Sequence, residues 1–170
     1  MDPGAELWEV GAAAQAAAEE LARRGSSGRP RPPAPLLAAA EELSRDPVLD
    51  NLLRGLMSGE QAAYPCAHLL HLCALHQPSC ERLLERQLLP VLAGLLRACR
   101  DDEMIWAGLS LAAAVLRSGA PVRPNETRQL AFLAERLQRR EGLGPAARRG
   151  TAALLTNVES RQRYSCPSAV

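Results

Sequence analysis

The sequence predicts an all-α protein, and three observations support this fold class. Hydrophobic residues make up 47% of the 170 residues but aromatic residues only 3%, so the core must consist mainly of leucine and alanine. Those two residues are strong helix formers, whereas the β-branched and aromatic residues that favour strands are scarce. In addition, leucine pairs recur along the chain about every forty residues, and the apolar patterns between them have helical spacing.

The recurring feature is a pair of leucines one helical turn apart, followed by an alanine- and leucine-rich helix. The pairs are Leu52 and Leu56, Leu92 and Leu96, and Leu133 and Leu137. The apolar helices that follow carry Leu69, Leu111 and Leu154. A period of about 40–47 residues that contains only helices is typical of arrays in which each unit buries its apolar face on the next. The sequence therefore predicts a short α-solenoid of about three repeats.

Each predicted repeat has the same order of elements. The leucine-pair helices cover residues 47–58, 88–100 and 126–140, and the long apolar helices cover 60–77, 103–118 and 145–161. Between the two helices of a repeat lies a turn that contains glycine or aspartate. Prolines mark the boundaries between repeats, because proline disrupts a helix interior. Residues 78–86 are the expected small first helix of the second unit.

The chain ends are predicted to differ from this repeat domain, which spans residues 36–161. Residues 1–24 form a capping helix, with Asp2 as N-cap, Pro3 at the first position and an apolar face that includes Leu7 and Leu21. Residues 25–35 are a linker rich in glycine, serine and proline. A short helix is expected from about residue 35 to 44, and residues 162–170 form a flexible tail.

Residues 47–161 resemble the armadillo-repeat superfamily. The segment Ala153-Leu154-Leu155-Thr156-Asn157-Val158 is similar to the Trp-Ala-Leu-Thr-Asn-Ile pattern of that family's groove-lining helix, with Asn157 at the asparagine and Ala153 in place of the tryptophan. The second long helix has the tryptophan, Trp106, and has Ser110 where the asparagine belongs. In that family the asparagine binds the backbone of an extended peptide and the tryptophan packs on its side chains. The resemblance implies a helical groove that binds a peptide; HEAT-like packing is the alternative.

The predicted partner-binding residues form a polar and aromatic stripe across the three long helices. Tyr64, His68 and His71 lie at positions i, i+4 and i+7 of the first helix, so they share one face. The later helices contribute Trp106 with Ser110, and Arg149 with Asn157. Such a ladder on a solenoid surface is how these proteins hold peptides. The function predicted is a non-catalytic adaptor or scaffold for a partner protein or peptide. In the alternative interpretation Trp106 is core and Asn157 bonds locally.

Two other functions remain open. One is a structural subunit that completes a larger helical assembly, or associates with itself, through an edge repeat. The other is a zinc-binding regulatory protein, since all three histidines lie near three cysteines in the cluster Cys66, His68, His71, Cys73, His76 and Cys80. However, Cys66 and Cys73 lie about 10 Å apart along a helix, which is too far for one zinc ion. Buried cysteines also serve as small hydrophobic residues, so no metal or cofactor is predicted.

Composition excludes several classes of function. The chain has no lysine, which rules out Schiff-base chemistry and a complete Walker A loop. It has no HExxH motif and no catalytic-triad order, so no enzyme activity is predicted. The net charge of +1 argues against nucleic acid as a partner. Residues 97–170 carry 12 arginines against 7 acidic residues, an excess that suits an acidic partner segment or simply solvated helix faces.

The predicted location is the cytoplasm, the nucleus or both. The start of the chain lacks the basic and apolar regions of a secretory signal. No apolar stretch reaches the roughly eighteen residues that span a bilayer, so membrane insertion is not expected. Five cysteines, an odd number, suit a compartment that keeps thiols reduced.

Short motifs lie near both ends of the chain. Ser26 follows two arginines, as basophilic kinases prefer, and Arg29, Pro32 and Pro35 have the spacing of an SH3 ligand. The last residues, from Ser168 to Val170, have the form of a PDZ ligand. Motifs of this length also arise by chance.

Overall fold

A computed structural model of the protein describes residues 34–58 and 62–165. Within these ranges the chain forms eight α-helices and no β-strand, which confirms the all-α prediction. The helices are α1 (Ala34–Leu43), α2 (Asp46–Met57), α3 (Ala63–Ala74), α4 (Gln77–Glu85), α5 (Leu88–Ala98), α6 (Asp102–Arg117), α7 (Pro124–Gln138) and α8 (Pro145–Ser165).

Prolines and one aspartate determine where several helices begin. Pro47, Pro78 and Pro124 occupy the first turns of α2, α4 and α7, where the missing N–H costs nothing. Asp101 caps α6, because its carboxylate accepts a hydrogen bond of 2.7 Å from the Met104 N–H. Pro65 lies in the first turn of α3 and does not kink it. Since α3 ends at Ala74, the helix predicted for 60–77 is shorter than expected.

The helices pack in two layers. In one layer the long helix α6 packs between α3 and α8, and in the other α5 packs between α2 and α7. Each long helix also packs against the leucine-pair helix that precedes it in the chain. The leucines that define the forty-residue period all face the interface between the layers and are buried: Leu52, Leu56, Leu69, Leu92, Leu96, Leu111, Leu133, Leu137 and Leu154. The predicted core positions are therefore confirmed.

Three arginines form hydrogen bonds between units, and each bond joins residues about forty positions apart. Each arginine donates to the carbonyl oxygens at the end of a helix one unit earlier, where the C-terminal carbonyls lack partners. Arg82 donates to Ser44 O (3.1 Å) after α1, Arg140 to Cys99 O (3.1 Å) after α5, and Arg161 to Leu116 O (2.8 Å) and Ala120 O at the end of α6. The paired residues lie 38 to 45 positions apart, which matches the period of the leucines.

The third unit differs from the first two. Short helices, α1 and α4, precede the leucine-pair helices α2 and α5, but among the described residues no helix lies between α6 and α7. Gly119 there has a positive φ of 85°, which favours glycine, and prolines follow at 121 and 124. The segment is therefore a turn instead of a third short helix.

Two helices extend slightly past the predicted segment limits. The linker was expected to extend through Pro35, but α1 begins at Ala34, since proline is tolerated in a first helical turn. The tail was expected to begin at residue 162, but α8 continues to Ser165. Near the end of α8, the Arg161 guanidinium donates to Leu116 O of α6 and to Ala120 O in the turn that follows α6. The predicted capping helix of residues 1–24 lies outside the described residues.

Candidate partner-binding surface

Part of the predicted stripe comes together as an aromatic cluster of Tyr64, His68 and Trp106. The ring centroids of Tyr64 and His68 are 4.4 Å apart in an edge-to-face arrangement, and those of His68 and Trp106 are 6.2 Å apart. All three side chains are partly buried. On the other side of Trp106 lies the backbone of α8, where a Cβ built at Gly150 would be 3.5 Å from the indole ring. The tryptophan therefore packs between α3 and α8 in addition to facing solvent.

The remaining stripe residues are placed differently. Asn157 lies about two turns beyond Gly150 on α8, and its Nδ2 donates to the Ala153 carbonyl oxygen of its own helix at 2.7 Å. Its amide nitrogen is thus used locally, as in the alternative interpretation. Arg149 is exposed, and Ser110 lies partly buried one turn after Trp106.

His71, the last stripe residue, is neutral at physiological pH. Burial is the main reason that its pKa falls from 6.5 to about 4, and the positive charge of Arg117 and the proximity of His68 lower it further. A neutral imidazole does not add charge to the surface, so His71 is unsuited to binding an acidic group at neutral pH.

The cysteines and histidines do not form a metal site within the described part of the chain. Cys73 is buried, and burial raises the pKa of its thiol to about 12. Burial likewise raises the pKa of Cys80, whose sulfur accepts a hydrogen bond of 3.2 Å from the Ser118 hydroxyl. Since thiolates are the metal ligands and reactive nucleophiles, these buried thiols act as packing groups.

A mainly apolar groove is a feature that the sequence interpretation missed. It lies between the end of α2, the start of α3, the outer face of α5 and the start of α6, with a volume of about 710 Å³. We call it the apolar groove; it is lined by Leu56, Met57, Ala63, Tyr64, Pro90, Val91, Gly94, Leu95, Ala98, Cys99, Asp101 and Met104. Its one ionisable acid, Asp101, caps α6. Met57, which lines the groove, is 59% exposed.

The groove could have been predicted from the sequence of α5, because this helix is apolar on nearly all sides. Its sequence, LLPVLAGLLRA, contains a single charged residue, Arg97. The leucine-pair pattern explains the buried face with Leu92 and Leu96, but not the opposite face with Val91 and Leu95. A helix that is apolar all round has either two buried faces or one face available to a partner. Val91 and Leu95 are only partly buried.

A second opening, of about 720 Å³, lies where α5 and α7 end side by side. We call it the basic pocket, because its lining includes five arginines and no acidic residue: Arg97, Arg100, Arg136, Arg139 and Arg140. Ala98 and Cys99 line both the basic pocket and the apolar groove. The two openings therefore meet at the C-terminal end of α5.

None of the described helices has the length and apolar character that a bilayer-spanning segment requires. Comparisons of the chain with models of known protein families, with curated proteins and with solved structures find no match.

Proposed function

We propose that this chain is a short armadillo-like solenoid that works as a non-catalytic protein-interaction module. In this proposal the apolar groove binds a segment of a partner protein. The observation that carries the proposal is an open groove with mainly apolar walls, formed by helices of two successive units. Grooves of this kind bind the apolar face of a helix or the side chains of an extended peptide.

The contacts between units support the solenoid part of the proposal. The buried leucines recur about every forty residues, and the arginine–carbonyl hydrogen bonds of Arg82 and Arg140 join residues 38 and 41 positions apart, which is expected when successive units stack on each other. Each of the first two units also contains three helices, of 10, 12 and 12 residues in the first unit and of 9, 11 and 16 residues in the second, and a three-helix unit is typical of armadillo repeats. The third unit, which lacks the short helix, departs from this arrangement.

The groove is a better candidate than the predicted stripe as the main contact area. The stripe depends on Asn157 and Trp106, and both have contacts within the protein. Val91 and Leu95 on α5 are likewise partly buried against the core, but they line a concave opening together with residues of three other helices. Tyr64 belongs to both the groove and the aromatic cluster, so a ligand in the groove can extend to that cluster.

The site chemistry favours binding over catalysis. His76 Nδ1 lies 2.7 Å from the Ser79 hydroxyl, and this is a serine–histidine pair. However, Ser79 is 2% exposed, and the pair lies at the start of α4, where residues three apart meet locally. A nucleophile needs access to substrate and an oriented base, which this pair does not provide.

A second candidate function is assembly through the last unit, and one residue favours it. Phe132 on α7, the only phenylalanine in the sequence, is 62% exposed. An aromatic side chain on the outside of the final unit suits contact with another helical unit or with a second copy. If this surface mediates self-association, wild-type protein sediments as an oligomer and Phe132→Glu sediments as a monomer.

Binding in the groove is tested in two steps. Peptides that bind the protein are selected first, and their affinity is then measured for a variant in which a large side chain fills the groove. A random-peptide library on phage is selected against the wild-type protein, and the enriched peptides are measured by fluorescence anisotropy. Gly94→Trp places a large ring in the groove, while Gly94→Ala is the matched control, because a Cβ at Gly94 meets no atom within 4 Å.

We expect Gly94→Ala, which adds one methyl group to the groove wall, to change the peptide affinity less than about threefold, and Gly94→Trp to weaken it at least about tenfold, a loss typical of blocking a central contact. Circular dichroism confirms that both variants melt cooperatively. Equal affinity for Gly94→Trp, or a failure to enrich any peptide, contradicts the proposal.

A further inference from the structure

The basic pocket concentrates positive charge beyond what local helix structure requires. Arg97 and Arg136 lie in the last turns of α5 and α7, where a cation favourably offsets the helix dipole. Arg140 is also used structurally, since it donates to the Cys99 carbonyl oxygen. Arg139 is the C-cap residue of α7, where a cation is also favourable, so these roles leave Arg100 unexplained, although all of these arginines line the same opening.

The convergence of five arginines has an electrostatic cost. Within residues 34–58 and 62–165, none of the five is in an ion pair with an acidic side chain. Like charges held in a concave site repel each other and raise the local positive potential, which attracts anions. A bound anionic group would relieve this repulsion, so the pocket is suited to a negatively charged ligand.

The position of the pocket indicates which kind of anionic ligand it is suited to bind. Because Ala98 and Cys99 line both openings, a chain seated in the apolar groove and running past the end of α5 reaches the arginines without leaving the surface. Single-stranded nucleic acid binds to basic grooves that also offer aromatic side chains for base stacking. The residues that line the basic pocket include no aromatic residue, and the adjoining apolar groove contributes one, Tyr64, which is too few for a run of stacked bases.

We propose that the apolar groove and the basic pocket together bind an acidic, apolar-anchored segment of a partner protein. Its apolar side chains occupy the groove beside Val91 and Leu95, and its carboxylates lie against the arginines of the pocket. Arginine suits this role, because its planar guanidinium binds carboxylates with two parallel hydrogen bonds. The inference rests on the proposed function and adds the chemistry of the partner.

The test uses the full chain and the peptides selected on it. Each selected peptide is compared with a copy in which every Glu and Asp is replaced by its amide. The pocket is altered by Arg136→Glu together with Arg139→Glu. The control, Arg128→Glu with Arg163→Glu, changes the net charge equally at two exposed arginines that do not line the pocket.

The selected peptides should contain acidic residues beside their apolar positions. The amide copies and the pocket variant should each lower the affinity at least about tenfold, whereas the control variant should change it less than about threefold. Raising the salt concentration from about 0.05 to 0.5 M should weaken the acidic peptide more than its amide copy, because salt screens the charge contribution.

Several outcomes would overturn the inference. Peptides without acidic residues that bind the pocket variant normally, yet lose affinity for Gly94→Trp, would leave the proposed function intact and remove the acidic partner. A short single-stranded oligonucleotide that displaces the peptide with higher affinity would favour nucleic acid instead. An oligomer that dissociates only in the pocket variant would assign the pocket to a second copy.

The acidic N-terminal segment of this chain is one more candidate ligand for the site, and the same assay distinguishes it from a partner protein. Residues 1–22 contain five acidic residues and no arginine. A full-length variant with Glu6, Glu9, Glu19 and Glu20 all changed to Gln should bind the acidic peptide as wild type does. If that variant binds several-fold more tightly than wild type, the site is occupied by the chain's own acidic segment and the partner proposal is wrong.

Discussion

The close approach of α2 and α3 at Gly55 gives the sharpest stability prediction. A Cβ built at Gly55 would lie 2.4 Å from the sulfur of Cys66 and 3.6 Å from its Cβ. Gly94 is also inside a helix, but a Cβ there meets nothing within 4 Å. Alanine at either position gains about 0.5–1 kcal/mol from helix propensity. Only at Gly55 is that gain opposed by a steric overlap.

The expected signs are therefore opposite for the same substitution. Overpacking at a helix contact costs about 1–3 kcal/mol, so Gly55→Ala should destabilise the protein by about 0.5–2 kcal/mol. Gly94→Ala should stabilise it by about 0.5–1 kcal/mol, which corresponds to an increase in Tm of about 1–4 °C for a chain of this size. Urea unfolding followed by circular dichroism measures both differences.

A double-mutant cycle with Cys66 identifies the cause. Cys66→Ala alone should cost about 1 kcal/mol, because it removes a partly buried sulfur. In the Gly55→Ala background it should cost less or become favourable, since only the contact at 3.6 Å then remains. A coupling energy of about 1–3 kcal/mol is expected. Additive effects, or a Gly55→Ala variant as stable as Gly94→Ala, would refute the close approach of the two helices.

Three further predictions concern buried or hydrogen-bonded groups. The pKa of His71 is about 4 in the folded protein against 6.5 for the unfolded chain, so the unfolded state binds more protons between these values and stability is lost as the pH falls through this range. Urea unfolding at about pH 7 and at about pH 4.5 measures the unfolding free energy of wild type and of His71→Gln. Between these two pH values, wild type should lose on the order of 1–2.5 kcal/mol more than His71→Gln does. Equal losses in the two proteins would contradict the lowered pKa. Arg161→Met should lower the unfolding free energy by about 1.5–3 kcal/mol, because it removes the hydrogen bonds to the end of α6. Arg163→Met, at an exposed position, is the control and should change the unfolding free energy little. Similar effects of the two substitutions would argue against the contact of Arg161 with α6. Cys73, with a buried thiol whose pKa is about 12, should react with a disulfide reagent only on unfolding, and rapid labelling of the native protein at this residue would show that it is accessible.

The fold could be predicted largely from apolar spacing. Leu92 and Leu96, or Leu133 and Leu137, lie one turn apart on a helix, and this local relation is visible without tertiary structure. The positions of the helix ends were harder to predict from the sequence. Near the end of α8, Arg161 donates to a carbonyl of α6, which is a contact between units that no local pattern records.

The candidate site was harder to predict, because it combines residues from separate helices. The apolar groove includes parts of α2, α3, α5 and α6, and no single helix indicates which faces remain uncovered. The basic pocket did leave a trace in the sequence. Arg97 and Arg136 are 39 residues apart and Arg100 and Arg140 are 40 apart, which is close to the 41-residue step of the leucine pairs in these two units but not equal to it. A search for arginines at roughly the leucine spacing indicates the pocket, although the two sets are not in register.

The most direct test of the central claim is to locate a bound peptide on the protein by methyl NMR. A peptide selected on the wild type is titrated into protein with labelled methionine, valine and leucine methyl groups. The account predicts that the signals of Met57, Val91 and Leu95 shift first and most, since these side chains line the apolar groove. Shifts confined to other methyl groups, such as those of Leu155 on α8, would place binding elsewhere and contradict the claim.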